Sequence, residues 1–163
     1  MRGLKGKRTI VTGGGSGIGR EVCKRFAEEG SEVAVFDINA AGATETVKII
    51  GDAGGKATAH AVDITERAAV DAAVAEVEKG GPINVLVNNA GSIIKLAPIE
   101  DCTDDVWDST MGVNLKGVFL CSQAVIPYLK EKRRGRIINV SSGAVEHGGM
   151  SLSLPYAAAK AAE

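Results

Sequence analysis

The sequence has little that would tie it to an oxidising compartment, a membrane or a polyanion. Its three cysteines, Cys23, Cys102 and Cys121, are odd in number and far apart, with no Cys-x-x-Cys pair. That pattern argues against a disulfide framework and against the common zinc sites, and it leads us to expect a reduced, cytoplasmic setting. No apolar run approaches the roughly 18 residues of a membrane span. The amino-terminal stretch MRGLKGKRTIVTGGG reaches its glycines after only a short apolar run, too little for a signal peptide. A net charge of −1 supplies no pull toward nucleic acid or an anionic membrane. Neither partner is expected. Histidine is scarce as well: His60, on a strand, has no ligand-spaced partner, and His147 lies in a loop where a histidine is usually solvated, so neither is assigned to a metal.

Glycine, by contrast, is abundant. The 163 residues include 21 glycines, nearly twice the usual share of about 7%. A chain of this length fits one domain with a sizeable core, and we treat residues 1–163 as one.

Short β-branched runs alternate with longer helical patterns. The strand-like runs are 8–12, 32–37, 57–63, 83–88 and 136–141. Between them apolar residues recur at helical spacing: Ile18, Val22 and Phe26, then Val70, Val74 and Val77, then Leu115, Val118, Phe119, Ile126 and Leu129, with a weaker pattern at 43–50. Such alternation implies right-handed βαβ units, hence an α/β fold with a doubly wound parallel sheet and helices on both faces. The helix opened by Thr103, Asp104 and Asp105 should close on the basic run KEKRRGR at Gly135, a cation-rich carboxyl end rather than a nucleic-acid patch. Pro127 should kink it.

Ligands of open parallel sheets bind outside the carboxyl ends of the strands. Here those ends carry Thr12-Gly13, Asp37, Asp63, Asn88-Asn89-Ala90-Gly91 and Ser141-Ser142. The stretch TGGGSGIG at 12–19 joins a strand to a helix, where glycines let the backbone approach a pyrophosphate and the helix amino terminus attracts it. It lacks the lysine and Ser/Thr of a Walker loop, since Arg20 and Glu21 follow Gly19. A glycine-rich turn can also be only a tight βα connection. Asp37, eighteen residues beyond Gly19, ends the second strand, where a carboxylate can bind the adenosine ribose of NAD and repel the extra phosphate of NADP. No basic residue follows it directly, and Ser16 in the loop is neutral, so NAD is expected over NADP.

With Thr12-Gly13, Gly17-Ile18-Gly19, Asn88-Asn89-Ala90-Gly91, Asn114, Ser142, Tyr156 and Lys160 in this order, the whole chain resembles the short-chain dehydrogenase/reductase family in its classical subgroup. The resemblance implies a three-layer Rossmann-like fold and nicotinamide-dependent interconversion of a small-molecule alcohol and its carbonyl. It implies that Thr12, Gly13, Gly15, Ser16, Gly17, Ile18 and Gly19 shape the pyrophosphate loop. Asp37 with Ile38 would hold the adenosine ribose, Asp63 and Ile64 would border the adenine, and Asn89, Ala90 and Gly91 would border the cofactor at the fourth strand. Asn114, Ser142, Tyr156 and Lys160 look like the catalytic tetrad, with Tyr156 and Lys160 also touching the cofactor. Asn114 would reach Lys160 through water for proton relay.

The residues fit those roles. Tyr156 and Lys160 are four apart and share one helix face. A cation beside a phenol favours its ionised form, which suits a proton acceptor. A seryl hydroxyl at Ser142 can bind the reacting oxygen. Ser142 precedes Tyr156 by fourteen residues, one more than the family pattern, so the 143–155 loop should bulge and Ser141 is the alternative serine. Relative to the family, the chain is expected to be truncated after the fifth strand and the start of the next helix, without segments that cover substrate and build a homodimer or homotetramer. The fifth strand would then be an open sheet edge. The alternative to an enzyme is a noncatalytic nucleotide-binding fragment or pseudoenzyme.

Overall fold

The β-branched runs become the strands of one sheet. In the computed structural model, which describes residues 3–148 and 152–163, they are β1 (Arg8–Thr12), β2 (Glu32–Asp37), β3 (Lys56–Ala61), β4 (Ile83–Asn88) and β5 (Arg136–Asn139), in spatial order β3-β2-β1-β4-β5. All pairings are parallel. The connecting helices are α1 (Gly17–Glu28), α2 (Ala40–Asp52), α3 (Arg67–Lys79), α4 (Asp104–Met111), α5 (Gly117–Glu131) and α6 (Leu154–Ala161). This is the Rossmann-like, doubly wound arrangement.

Period-two alternation in the central strands feeds two cores. Val11, Val33, Val35, Val85 and Val87 pack with Cys23 and Phe26 of α1 and with Ala43 and Ile50 of α2. Ile10, Ala34, Phe36 and Leu86 point the other way, onto Val70, Val74 and Val77 of α3 and Leu120, Cys121 and Val125 of α5. Each Val, Ile, Leu or Phe among them contributes about 1.5–3 kcal/mol when fully buried. The strands that serve both cores lie in the middle, while β3 and β5 at the two edges are mostly exposed. Strand order reverses where β1 meets β4, so the segments leaving these strands diverge and open a crevice.

Several expected boundaries shift. β3 starts at Lys56 and ends at Ala61, and β5 ends at Asn139, so Asp63, Ser141 and Ser142 lie in loops beyond their strands. The helix after β4 is not uniform: α4 passes through a π turn, Gly112–Lys116, into α5. Phe119 and Ile126 are exposed there, and so is Ile18 at the start of α1. All three fit a helical period, but the buried arc is narrower than that period allows. The Thr103 side chain caps α4 by accepting the Val106 N–H at 3.3 Å. Helix α5 continues through Pro127 to Glu131, and the left-handed residue behind it is Arg133 (φ 47°), not Gly135. Gly135 serves packing instead, since a Cβ there would lie 2.6 Å from Leu129 Cδ2. The expected bulge at 143–155 falls partly on residues 149–151, outside the described residues.

Burial sorts the cysteines. Desolvation pushes the Cys23 and Cys121 thiols up to about 12, whereas Cys102 is half-buried at the surface. Thiolates are the reactive form. Native protein treated with iodoacetamide at pH 8 should therefore label Cys102 at least ten times faster than Cys23 or Cys121, as peptide mass mapping would read. Equal labelling would contradict this packing.

Candidate active site

Glycines shape the loop between β1 and α1 and the start of α1 where the backbone passes too close to its neighbours to admit a Cβ. Gly13 has φ +65°, and a Cβ there would sit 2.9 Å from Ala90 Cα; a Cβ on Gly19 would sit 2.0 Å from the Gly13 carbonyl oxygen. Gly17, at φ +51°, faces open space. Arg20 supports the loop from behind. It donates to the Gly15 carbonyl at 2.6 Å and pairs with Glu45, while Thr46 donates to the Gly14 carbonyl at 3.0 Å. The Asp37 carboxylate closes the loop by accepting the Gly15 N–H on Oδ2 and the Asn39 N–H on Oδ1, each at 2.8 Å.

A second set of bonds joins the ends of β1 and β4. Buried Thr12 accepts the N–H groups of Asn89 and Ala90 on its hydroxyl, both at 3.0 Å. Asn89 returns its amide to the Thr12 carbonyl at 2.9 Å and the Gly13 carbonyl at 3.3 Å. Further along, Asn114 is fully buried in the π turn. It accepts the Ser92 N–H at 3.0 Å and donates to the carbonyls of Ser92 and Thr110 at 2.8 Å each. Two of these three bonds hold the segment after Gly91, and the third ties Asn114 to the preceding turn of its own helix. Its Oδ1 and the Lys160 Nζ both lie within 3.4 Å of the point that a Gly91 Cβ would occupy.

Helix α6 begins with Leu154 and Pro155, a proline in the first turn where no N–H is missed. Tyr156 is half-buried and Lys160 buried. The Lys160 ammonium donates to the Val140 carbonyl at 2.9 Å and to Glu163 Oε1 at 2.5 Å, with both charged side chains at most 3% exposed. A charge so removed from water requires such partners. The two serines differ. Ser141 donates its hydroxyl to the Lys160 carbonyl at 3.0 Å, while Ser142 accepts the Ala144 N–H at 3.2 Å, which leaves its own hydrogen to donate elsewhere.

These parts meet in one cleft of about 580 Å³ at the carboxyl edge of the sheet. Gly13, Ser16, Gly17, Ile18, Gly19, Asp37, Ile38, Asp63 and Ile64 line one end, and Asn89, Ala90, Gly91, Ser142, Tyr156 and Lys160 the other. Thr12, Gly15 and Asn114 stand behind this lining as supports. Val62, Ser92, Val113, Val140 and Ser141 also line it. The first four belong to no recognised motif and are missed by sequence reasoning; each directly adjoins a motif residue (Asp63, Gly91, Asn114 and Ser141), so proximity alone could have found them. A smaller cleft of about 360 Å³ lies by the amino ends of β1 to β3. Its Arg8 is occupied by the Val77 and Gly81 carbonyls and by Glu32. Among the described residues no His, Cys, Asp and Glu group is arranged to hold a metal ion, and no helix is long and apolar enough to cross a membrane.

A model of the short chain dehydrogenase family matches residues 7–163. The chain belongs to the short chain dehydrogenase family. Its relatives include a (2S)-[(R)-hydroxy(phenyl)methyl]succinyl-CoA dehydrogenase subunit of Thauera aromatica, 38% identical over 98% of this chain and 63% of that protein. A 3-oxoacyl-[acyl-carrier-protein] reductase of Thermotoga maritima is 39% identical over 97% of this chain and 64% of its own length. Among solved structures, a protein of Burkholderia xenovorans described as a short-chain dehydrogenase/reductase superposes with a TM-score of 0.93 at 32% identity, covering 98% of this chain and 65% of that one. The chain thus spans a little under two thirds of the length of these family members.

Proposed function

We propose that this member of the short chain dehydrogenase family serves an oxidoreductase that interconverts a secondary alcohol and its carbonyl by hydride transfer with NAD. The observation that carries the reading is that Tyr156, Lys160 and Ser142 line one end of a cleft whose other end is a glycine-rich loop closed by a carboxylate. A Cβ at Gly13 or Gly19 would strike backbone, so this cradle admits a group that must approach the main chain closely, as a pyrophosphate does. The residues present therefore fit a dinucleotide.

When bound, the nicotinamide supplies a two-electron hydride acceptor or donor. The chain's own groups do the rest. Ser142 donates a hydrogen bond to the substrate oxygen and steadies its developing charge. Tyr156 takes the hydroxyl proton during oxidation and returns one to the carbonyl oxygen during reduction. The Lys160 ammonium, at the same end of the cleft, would hold the cofactor there. Asn114 fixes the segment carrying Gly91 and Ser92, and supports a water-linked path from Lys160. Catalysis by the whole protein, in the cytoplasm and as a homodimer or homotetramer, is part of the same proposal, with residues 1–163 acting as one cofactor-binding domain.

The choice of NAD over NADP rests on charge. Of the described residues lining the cleft, Lys160 is the single cation, and it lies at the end away from Asp37. At that other end the Asp37 carboxylate would oppose an additional phosphate on the adenosine ribose. Like charges about 4 Å apart repel by about 1–4 kcal/mol between water and a partly shielded surface. Replacing Asp37 with Ser should therefore raise the ratio of kcat/KM for NADP to that for NAD by at least about tenfold, since 1.4 kcal/mol is a factor of ten. Steady-state kinetics with both cofactors reads this, and a parent protein that already prefers NADP would refute the assignment.

A further inference from the structure

We propose that Glu163 is a positioning residue that holds Lys160 and offsets its charge, so that the site accepts the cationic nicotinamide of oxidised NAD; the inference rests on the oxidoreductase reading above. Glu163 belongs to no motif in that reading. Tyr156, Lys160 and Glu163 follow one another at spacings of four and three, which places all three on one face of a helix. Helix α6 ends at Ala161, and from two residues beyond it the Glu163 side chain reaches back to accept the Lys160 ammonium on Oε1 at 2.5 Å, with both side chains buried. Its main chain is fixed as well. The Glu163 carbonyl accepts from the Asn139 side chain at 3.0 Å, and Asn139 in turn accepts from the buried Asn88 amide at 3.0 Å. The backbone that carries the carboxylate is thus tied to the ends of β5 and β4.

Folding alone does not account for the pair. Two charges taken out of water gain little over apolar side chains of the same volume, so the acid is there for what it does to the lysine. Among the described residues the Lys160 ammonium is the hydrogen-bond partner of the Glu163 carboxylate, and Oε2 has none. An ammonium has three N–H donors. The Val140 carbonyl and Glu163 take two, and one is left for the cleft that Lys160 lines. On the hydride-transfer reading the nicotinamide lies at the end with Tyr156 and Ser142, where Lys160 is the single cation of the described lining, while Asp37 and Asp63 lie at the other end. The nicotinamide ring is cationic in oxidised NAD and neutral in NADH. A bare ammonium beside it would repel the oxidised form alone; with Glu163 in contact the pair carries no net charge, and the repulsion is offset.

The test is calorimetric titration of the purified protein with oxidised NAD and with NADH, using ADP-ribose as the probe of the adenosine end. Glu163→Gln keeps the shape and an acceptor oxygen but drops the charge, and we expect its ratio of Kd for oxidised NAD to Kd for NADH to rise at least about fivefold above the parent's. Lys160→Met leaves the carboxylate alone, and its ratio should fall at least about fivefold below the parent's. The double variant carries neither charge and should return to within about twofold of the parent ratio, although both Kd values rise with the loss of the Lys160 contact. A purely structural role would weaken both forms alike and leave every ratio unmoved. Either single variant decides by itself, since the expected signs are opposite. An unchanged ratio or a shift of the wrong sign, in a single variant that still binds ADP-ribose, would overturn the role of Glu163 and leave the oxidoreductase reading standing. That role also falls if neither single variant binds ADP-ribose, because the pair then serves the fold alone. A parent protein that binds neither form of NAD would overturn both.

Discussion

Replacing Tyr156 with Phe should lower kcat at least a hundredfold, and up to about ten thousandfold, the range supplied by a positioned general acid or base. The substitution removes one oxygen from a half-buried side chain that lines the cleft and leaves the ring in place. The effect on folding should be small, and NAD affinity should fall by no more than about tenfold, the worth of a single hydrogen bond. Lys160 offers a less clean experiment. Its ammonium is buried against Glu163 and the Val140 carbonyl, and removing one partner of a buried pair costs about 3–5 kcal/mol because the other charge is left uncompensated. A Lys160 variant would lose activity whether or not lysine acts in the reaction. Tyr156→Phe separates chemistry from stability, and turnover at the parent rate would remove Tyr156 from the mechanism.

What can be read from the sequence follows where each residue's constraint comes from. β1, β2 and β4 match their expected limits because both of their faces are buried, and runs such as IVT, EVAVF and NVLVN admit few other readings. The edge strands end sooner than their sequence pattern suggests. Among the described residues β3 and β5 each have a single neighbour, β2 and β4, whose last residues Asp37 and Asn88 pair with Ala61 and Asn139; pairing stops there, before the sequence pattern does, and Asp63 and Ser142 pass into loops.

The site shows the same division. Glycines and a Tyr-x-x-x-Lys spacing are local patterns, and the fold brings those residues to one cleft. The partners of Asn114 depend on a π turn that shifts register by one residue, and no composition or period announces it. The support of Gly15 by Arg20 is equally hidden, since an arginine at the start of a helix reads as a solvated charge until Glu45 and Thr46 of another helix arrive beside it.

Gly19 gives the second large effect, and its sign opposes helix propensity. It lies within α1, where glycine is less favourable than alanine by about 1 kcal/mol, so propensity alone predicts that Gly19→Ala stabilises. The Cβ of that alanine, however, would lie 2.0 Å from the Gly13 oxygen, 2.7 Å from its carbonyl carbon and 2.6 Å from Asn89 Nδ2. None of these is the free end of a flexible side chain. To make room, the Gly13 peptide and the Asn89 amide must separate, loosening the Asn89 bonds to the Thr12 and Gly13 carbonyls. Those bonds are worth about 1 kcal/mol each, and overpacking adds about 1–3 kcal/mol. The unfavourable terms exceed the helical gain, and we expect a net loss of about 2–4 kcal/mol together with weaker NAD binding, because the displaced atoms form the cleft wall. Gly51 in α2 is the control. A Cβ there meets nothing within 4 Å, so Gly51→Ala should stabilise by up to about 1 kcal/mol. Urea unfolding of the two variants without cofactor should move in opposite directions. If Gly19→Ala also stabilised, the close passage of α1 beneath the glycine loop would be disproved, and with it the cradle proposed for the cofactor.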